Sequence, residues 1–525
     1  MRARLLWLCV SLAALVLGAC TRSDLRPDFV REASTSLPAH DDSPLAAYAE
    51  RLSSHAAHAR TDSGMRLLGD SVDALIARIA MADRAKYSID LQYYLFHNDA
   101  TGRLVAQHLL MAADRGVRVR VLVDDLAKVG HDAVLRSVDA HPNLEIRVFN
   151  PFHERSGSLW GIGKQFAGDF SRLNRRMHNK TFIVDGAIAV VGGRNIGDEY
   201  FDASDSVNFR DLDVMLVGPV VAEIAASFDR FWNSEPSVPI AAFRHDAKDE
   251  IDPATIRDRL SKSAREVRDA DYGRGVIARA GDLKREDPAD EWAWGTATFL
   301  SDDPDKVLPD VDPKDLHLAP RVRAWLDVSK QRILLVSPYF IPGDKGVAYL
   351  AGRRAAGVSV SVLTNSLAST DAGNVYAAYA KYRPPLLAAG VALYELKPNA
   401  AHRKGKDKRF IGSSSSSLHS KAIIADDDVF IGSMNLDPRS RSLNTEDGVI
   451  ATSPVLAKAL ADLFALATTP EVTYHVKLRE GSTTEVYWST IEDGKPVTFD
   501  ESPETSAWRR FKVGLTRIVP IEGLL

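Results

Sequence analysis

The chain repeats itself, and each repeat ends on the same reactive residues. The stretch "GVRVRVLVDD" (116–125) is matched by "GVSVSVLTNS" (357–366), and "LEIRVFNP" (144–151) by "GVALYELKP" (390–398). Gly116 is followed 62 residues later by His178, and Gly357 is followed 62 residues later by His419. The first histidine opens "HNKTFIVDGAIAVVGGRN" (178–195), the second "HSKAIIADDDVFIGSMN" (419–435). Both read His-x-Lys-x4-Asp, then an apolar strand, a Gly-Gly or Gly-Ser pair and an asparagine. A lone His-x-Lys carries no information. Two in register inside a duplicated unit are specific.

The segments around these landmarks alternate in period. Val72, Leu75, Ile76 and Ile79 follow Ser71 at helical spacing, with Ser71 placed as N-cap. A strand (88–96), a helix (101–115), a buried strand (116–125), a further helix and a strand (144–151) come next. The second half runs through the same series from a helix opened by Pro320, with strands at 333–342, 357–366 and 390–398. This alternation predicts βαβ units with mixed, mostly parallel sheets: an α/β fold of two pseudo-twofold related α/β/α sandwich domains. The expected organisation is an N-terminal domain over 65–245, a charged connector over 246–315 and a C-terminal domain over 316–525. The connector reads as exposed helix or partly disordered chain, since it is dense in charge and poor in large apolar residues.

Residues 1–20 have the pattern of an export signal: Arg2 and Arg4, an apolar run from Leu5 to Leu17, then "LGAC". The run is too short to span a bilayer. A small-residue site ending on Cys20 resembles the lipobox of bacterial lipoproteins, which implies lipidation at Cys20 and a polar tether over 21–64. Cys9 and Cys20 are the only cysteines, so no internal disulfide is expected after cleavage. A formal net charge of −4 weighs against nucleic acid as a partner, which demands a basic face.

The doubled motif, with "GGRNIGDEYF", "LTNSLASTD", "GSMNLDPRS" and "VPIEGLL", resembles the phospholipase D superfamily and, within it, the bacterial C-type cardiolipin synthases. The likeness runs from about residue 65 to the C-terminus. Strand alternation puts His178 and Lys180 on one face, and likewise His419 and Lys421. Phosphodiester exchange needs one imidazole to attack phosphorus and another to protonate the leaving oxygen on the opposite side. Two half-sites meeting across the pseudo-twofold axis meet that need. The resemblance implies a phosphatidyl intermediate on His178, with His419 as acid/base; the residues themselves do not order the two. The lysines stabilise charge on the nonbridging oxygens, and Asn195 and Asn435, near Gly193 and Ser433, are candidate neutral donors. Asp185 and Asp426 complete the two motifs, with mainly structural roles implied by the family. Because Gly192 follows Asp185 by seven residues but Gly432 follows Asp426 by six, the spacing leaves Asp427 as a rival to Asp426. A further acid is expected to orient each histidine, with Glu446 and Asp211 as candidates. The chemistry calls for no metal and no cofactor.

The resemblance makes phospholipids and a membrane surface the expected partners, with phosphatidylglycerol as acceptor and phosphatidylglycerol or phosphatidylethanolamine as donor, and with cardiolipin as a donor where the acceptor is a small alcohol. Transfer to a small alcohol such as ethanolamine, plain hydrolysis, and a nuclease reading are the alternatives. The expected location is the cell envelope, lipid-anchored, with the catalytic domain on the periplasmic side. Arg172, Arg175, Arg176 and "HRKGKDKR" (402–409) are candidate headgroup contacts. Trp160, Phe166 and "WRRFKVGL" (508–515) are candidates for the lipid interface, and the serines 413–417 for a loop lining the mouth of the site.

Overall fold

A computed structural model describes residues 26, 29–55, 60–127, 131–152, 155, 160, 163–164, 168–244, 250–283, 291–309, 317–398 and 416–516. Cys20, Phe166, the basic run 402–409 and Ser413 to Ser415 lie outside these residues. Among the described residues eighteen strands form one sheet, and Asn208–Arg210 and Ser416–Leu418 form a separate pair. At the heart of the first half, Ser88–Tyr93, Arg118–Asp124 and Leu144–Phe149 lie parallel. Arg332–Val336, Ser359–Asn365 and Ala392–Leu396 repeat that arrangement in the second half. The remaining pairings in the sheet are antiparallel, a larger share than the alternation of elements predicts. The reason is that each motif is an antiparallel hairpin set against the first of the parallel strands.

The two halves are sewn together at the sheet's centre. Strand Ser63–Leu68 pairs with Asp213–Val217 on one side and Ala293–Ser301 on the other. Ala293–Ser301 in turn pairs with Asp447–Thr452. Residues 293–301 therefore belong to the sheet rather than to a connector. Upstream, helices Pro253–Asp269 and Asp271–Leu283 pack on the first half, where Ile256 and Leu260 bury against Leu110.

The expected tether also differs. Helix Pro44–His55 buries Leu45 and Leu52 in the first domain's core, and Ser36 hydrogen-bonds Asp229. Its Ala/Ser-rich composition hides a short amphipathic face with its two leucines seven apart. At the next helix, Ser71–Arg84, the cap is Asp70 rather than Ser71; its carboxylate accepts the Val72 and Asp73 N–H groups.

One apolar cluster spans both halves. Helices Val220–Asn233 and Pro454–Ala467 cover the same face of the continuous sheet, with Phe231, Trp232, Leu460 and Phe464 buried there. Outer helices cover the other face of each half, giving the expected pair of α/β/α sandwiches. Among the described residues no helix is long and apolar enough to cross a membrane.

Candidate active site

Each motif is a hairpin whose first strand begins just after the lysine. Thr181–Val184 turns into Ile188–Gly192, and Ala422–Ala425 into Asp428–Gly432. The first turn holds three residues and the second only two, which accounts for the shorter spacing in the second motif. Asp185 and Asp426 occupy the first position of each turn at φ 52° and 54°. Asp185 accepts the Lys86, Tyr87 and Ser88 N–H groups and the Ser43 hydroxyl. Asp426 accepts those of Lys330, Gln331 and Arg332. Asp426, not Asp427, thus matches Asp185. Both carboxylates pin a turn to the start of the neighbouring strand, at the end of the hairpin away from the histidines. They belong to the scaffold, not to a catalytic set.

At the other end the halves hold one another. His178 N–H donates to Thr445 O at 2.9 Å, and His419 N–H to Arg210 O at 2.7 Å. Strand Ser416–Leu418 runs parallel to Asn208–Arg210. Ser416 and Ser417 therefore form an inter-half strand rather than a loop at the mouth. The side chains repeat the exchange: His178 Nδ1 is 2.7 Å from Glu446 Oε2, and His419 Nδ1 is 2.5 Å from Asp211 Oδ2. Both expected orienting acids are in place, and each comes from the half opposite its histidine. With Nδ1 turned to a carboxylate, Nε2 is the nitrogen left for chemistry.

The supporting residues fit these acids by size. A Cβ on Gly193 would lie 2.1 Å from Asp211 Oδ1, so only glycine leaves that carboxylate its place. Ser433, its counterpart, donates to Glu446 Oε2 at 2.5 Å, while Ser440 donates to Oε1 at 2.6 Å. Lys180 Nζ and Lys421 Nζ each donate to the carbonyl of their own histidine at 2.6 Å. Lys421 Nζ also lies 3.2 Å from His419 Nε2.

Asn195 is committed elsewhere than expected. Its amide donates to Tyr200 Oη at 2.7 Å and its oxygen accepts Leu95 N–H. Asn435 is buried, and among the described residues its Oδ1 has no hydrogen-bond partner. The arginines expected at headgroups are also engaged: Arg172 with Asp169, Arg175 with Lys306 O, and Arg176 with buried Asp124.

Burial sets the electrostatics. It lowers His178 well below 6.5, aided by Lys180 and Lys421, and lowers His419 with help from Lys421. Both rings are neutral in the free site. Burial, with Lys421 next, drops Lys180 to about 7. Burial alone would raise Asp211, but His419 and Lys421 outweigh it and hold that carboxyl below its usual range.

Sequence reasoning missed several neighbours. Tyr94 meets the His178 ring edge-on at 5.0 Å, and Phe209 and Tyr200 flank His419 at 5.0 and 5.4 Å. Asp447 is buried beside Lys180, accepting its backbone N–H at 3.1 Å. Burial lifts the Asp447 carboxyl, and the Lys180 charge opposes that rise. Its position directly after Glu446 was the available signal.

A two-lobed site of this kind has known relatives. The family profile described as "Cardiolipin synthase, PLD-like domain" matches residues 78–232 and 322–466, one segment in each half. The chain belongs to this phospholipase D-like family. It is an enzyme of the phospholipase D superfamily. Among curated relatives, cardiolipin synthase C of Escherichia coli (strain K12) is 39% identical over 467 residues, covering 88% of this chain and 96% of that protein. A cardiolipin synthase of Staphylococcus aureus (strain Mu50) is 26% identical over 430 residues, 80% of this chain and 71% of its own. The crystal structure of phosphatidylserine synthase from Haemophilus influenzae superposes with a TM-score of 0.56 at 13% identity, covering 91% of this chain and all of that one. That likeness bears on the phospholipase D fold alone.

Proposed function

We propose that this protein is a phosphatidyltransferase that makes cardiolipin from phosphatidylglycerol and a second phospholipid. The observation that carries the reading is the reciprocal bracing: two neutral, buried histidines, each held through Nδ1 by an acid from the opposite half. In the first step His178 Nε2 attacks the donor phosphorus, the bond to the headgroup oxygen breaks, and His419 Nε2–H gives its proton to that oxygen. In the second, the headgroup hydroxyl of phosphatidylglycerol loses its proton to His419. Its oxygen displaces His178 from phosphorus, forming cardiolipin. Lys180 and Lys421 balance charge on the nonbridging oxygens, and Asn435 supplies a neutral donor. His419 must be protonated when the first step begins; a bound anionic phosphate raises its proton affinity, opposing the effect of burial. Excluding water favours the lipid alcohol over hydrolysis. An acyl anchor at Cys20 on the periplasmic side would hold the site near its substrate layer.

The test incubates the purified full chain with vesicles of labelled phosphatidylglycerol, with and without phosphatidylethanolamine. Cardiolipin with release of glycerol or ethanolamine is expected. Phosphatidic acid as sole product would overturn the synthase reading.

A further inference from the structure

The last described helix, Ala507–Thr516, carries the sequence AWRRFKVGLT. It is fixed to the second domain by one face, where Val513 is buried against the helix Gly373–Ala380. The opposite face presents Trp508 and Phe511, 62% and 54% exposed, one turn apart with rings stacked at 5.6 Å. Trp232, Trp292 and Trp488, by contrast, are buried. Arg509 and Lys512 are exposed around the aromatic pair, Lys512 Nζ lying 5.1 Å from the Trp508 ring, and the helix contains no acid.

Its position links it to the active site. The Arg509 guanidinium donates to Thr370 O at 3.0 Å. Asp371, the next residue, accepts the Tyr339 hydroxyl, and its charge acts on His419 and Lys421. Asn365, at the start of the same segment, brackets Leu418, accepting its N–H and donating to its carbonyl, immediately before His419.

We propose that this helix is the surface by which the enzyme docks on an anionic phospholipid bilayer, with Trp508 and Phe511 as the inserted side chains. Indole and phenyl rings favour the zone between headgroups and acyl chains, and the flanking cations meet the anionic phosphates. Docking here brings the loop beside His419 down to the headgroup layer. The choice of partner rests on the phosphatidyltransferase reading.

The experiment uses the chain from residue 20 with Cys20→Ser in every arm, so that neither the apolar run 5–17 nor acyl chains set binding. A Trp508→Ala/Phe511→Ala variant is compared with its parent for sedimentation with vesicles of phosphatidylglycerol and phosphatidylcholine. Partition at least tenfold weaker is expected, and parent binding weaker still to pure phosphatidylcholine. Turnover of vesicle lipid falls at least tenfold, while turnover of monomeric dihexanoyl-phosphatidylglycerol stays within twofold and reports an intact fold. Equal partition overturns the proposal. So does equal loss on both substrates, or a dimer that becomes a monomer in the variant, which would mark the face as a contact between copies. If the parent turns over no phospholipid, the transferase reading fails while the vesicle result still judges the helix.

Discussion

Glu446 accepts hydrogen bonds from His178, Ser433 and Ser440, whereas among the described residues Asp211 accepts from His419 and the Leu212 N–H alone. The two half-sites solve one problem with different sizes. A long acid is steadied by two hydroxyls in one, and a short acid fits against Gly193 in the other. The next position differs more: Asp447, buried beside Lys180, stands where the other half has Leu212. Both lysines donate to the carbonyl of their own histidine, and Lys421 also leans on the His419 ring, 2.8 Å from Nδ1 and 3.2 Å from Nε2. A duplicated site has thus acquired a more acidic, more tightly hydrogen-bonded side around His178. That environment suits the role proposed for His178, a ring that carries phosphorus and remains cationic.

The largest effect tests whether the halves really divide the labour. His178→Ala and His419→Ala should each lose at least roughly 10³-fold in turnover. With an activated donor whose leaving group needs no proton, rapid quenching should trap labelled phosphoenzyme in His419→Ala and none in His178→Ala. The reverse pattern would exchange their roles.

Next comes the fit of acid to neighbour. Gly193→Ala should cost on the order of 10²-fold in kcat, because the new Cβ displaces Asp211 and with it His419. Ser433→Ala, which leaves Glu446 its Ser440 bond, should cost less than about tenfold. Equal losses would erase the distinction drawn between the two braces.

A smaller effect lies in pH. Neutral His178 persists well below pH 6.5, so kcat/KM should hold on the acid side. It should fall as pH rises, because His419, lowered by burial, loses the proton it must give and Lys180, lowered likewise, then loses its charge. Asp447 raises the Lys180 proton affinity, so Asp447→Leu should move the alkaline limb to lower pH. An unmoved limb would detach Asp447 from Lys180.

The smallest effect on rate is expected at the turns. Asp185→Ala should leave kcat within roughly threefold but lower stability by about 2–4 kcal/mol, since three N–H groups and a hydroxyl lose their acceptor. Asp426→Ala, nearer solvent, should cost about half as much. Urea midpoints measure both.

Much of this was legible from local pattern. Period-2 runs marked the parallel strands, and His-x-Lys in duplicate marked the histidines and lysines. What could not be read locally was partnership. The strand Ala293–Ser301 lies in a charge-rich stretch, and its role as the seam depends on partners far away in sequence, Ser63–Leu68 and Asp447–Thr452. The Ala/Ser-rich segment before residue 60 looked like solvated chain because its burial depends on Leu45 and Leu52 finding the first domain. Asn195 looked like a ligand donor, and only the placement of Tyr200 and Leu95 shows its amide already spent.

The crossed braces also bear on how the enzyme comes into being. The contacts that orient His419 and His178 close chain separations of 208 and 268 residues. Loops of that length close late, after each half has collapsed on its own local contacts. During synthesis the first half can fold while its histidine still lacks its acid, which has yet to be translated. In refolding, secondary structure should therefore return before activity, and the lag between them should measure the docking of one half on the other. The seam that makes the site also delays it until the whole chain is present.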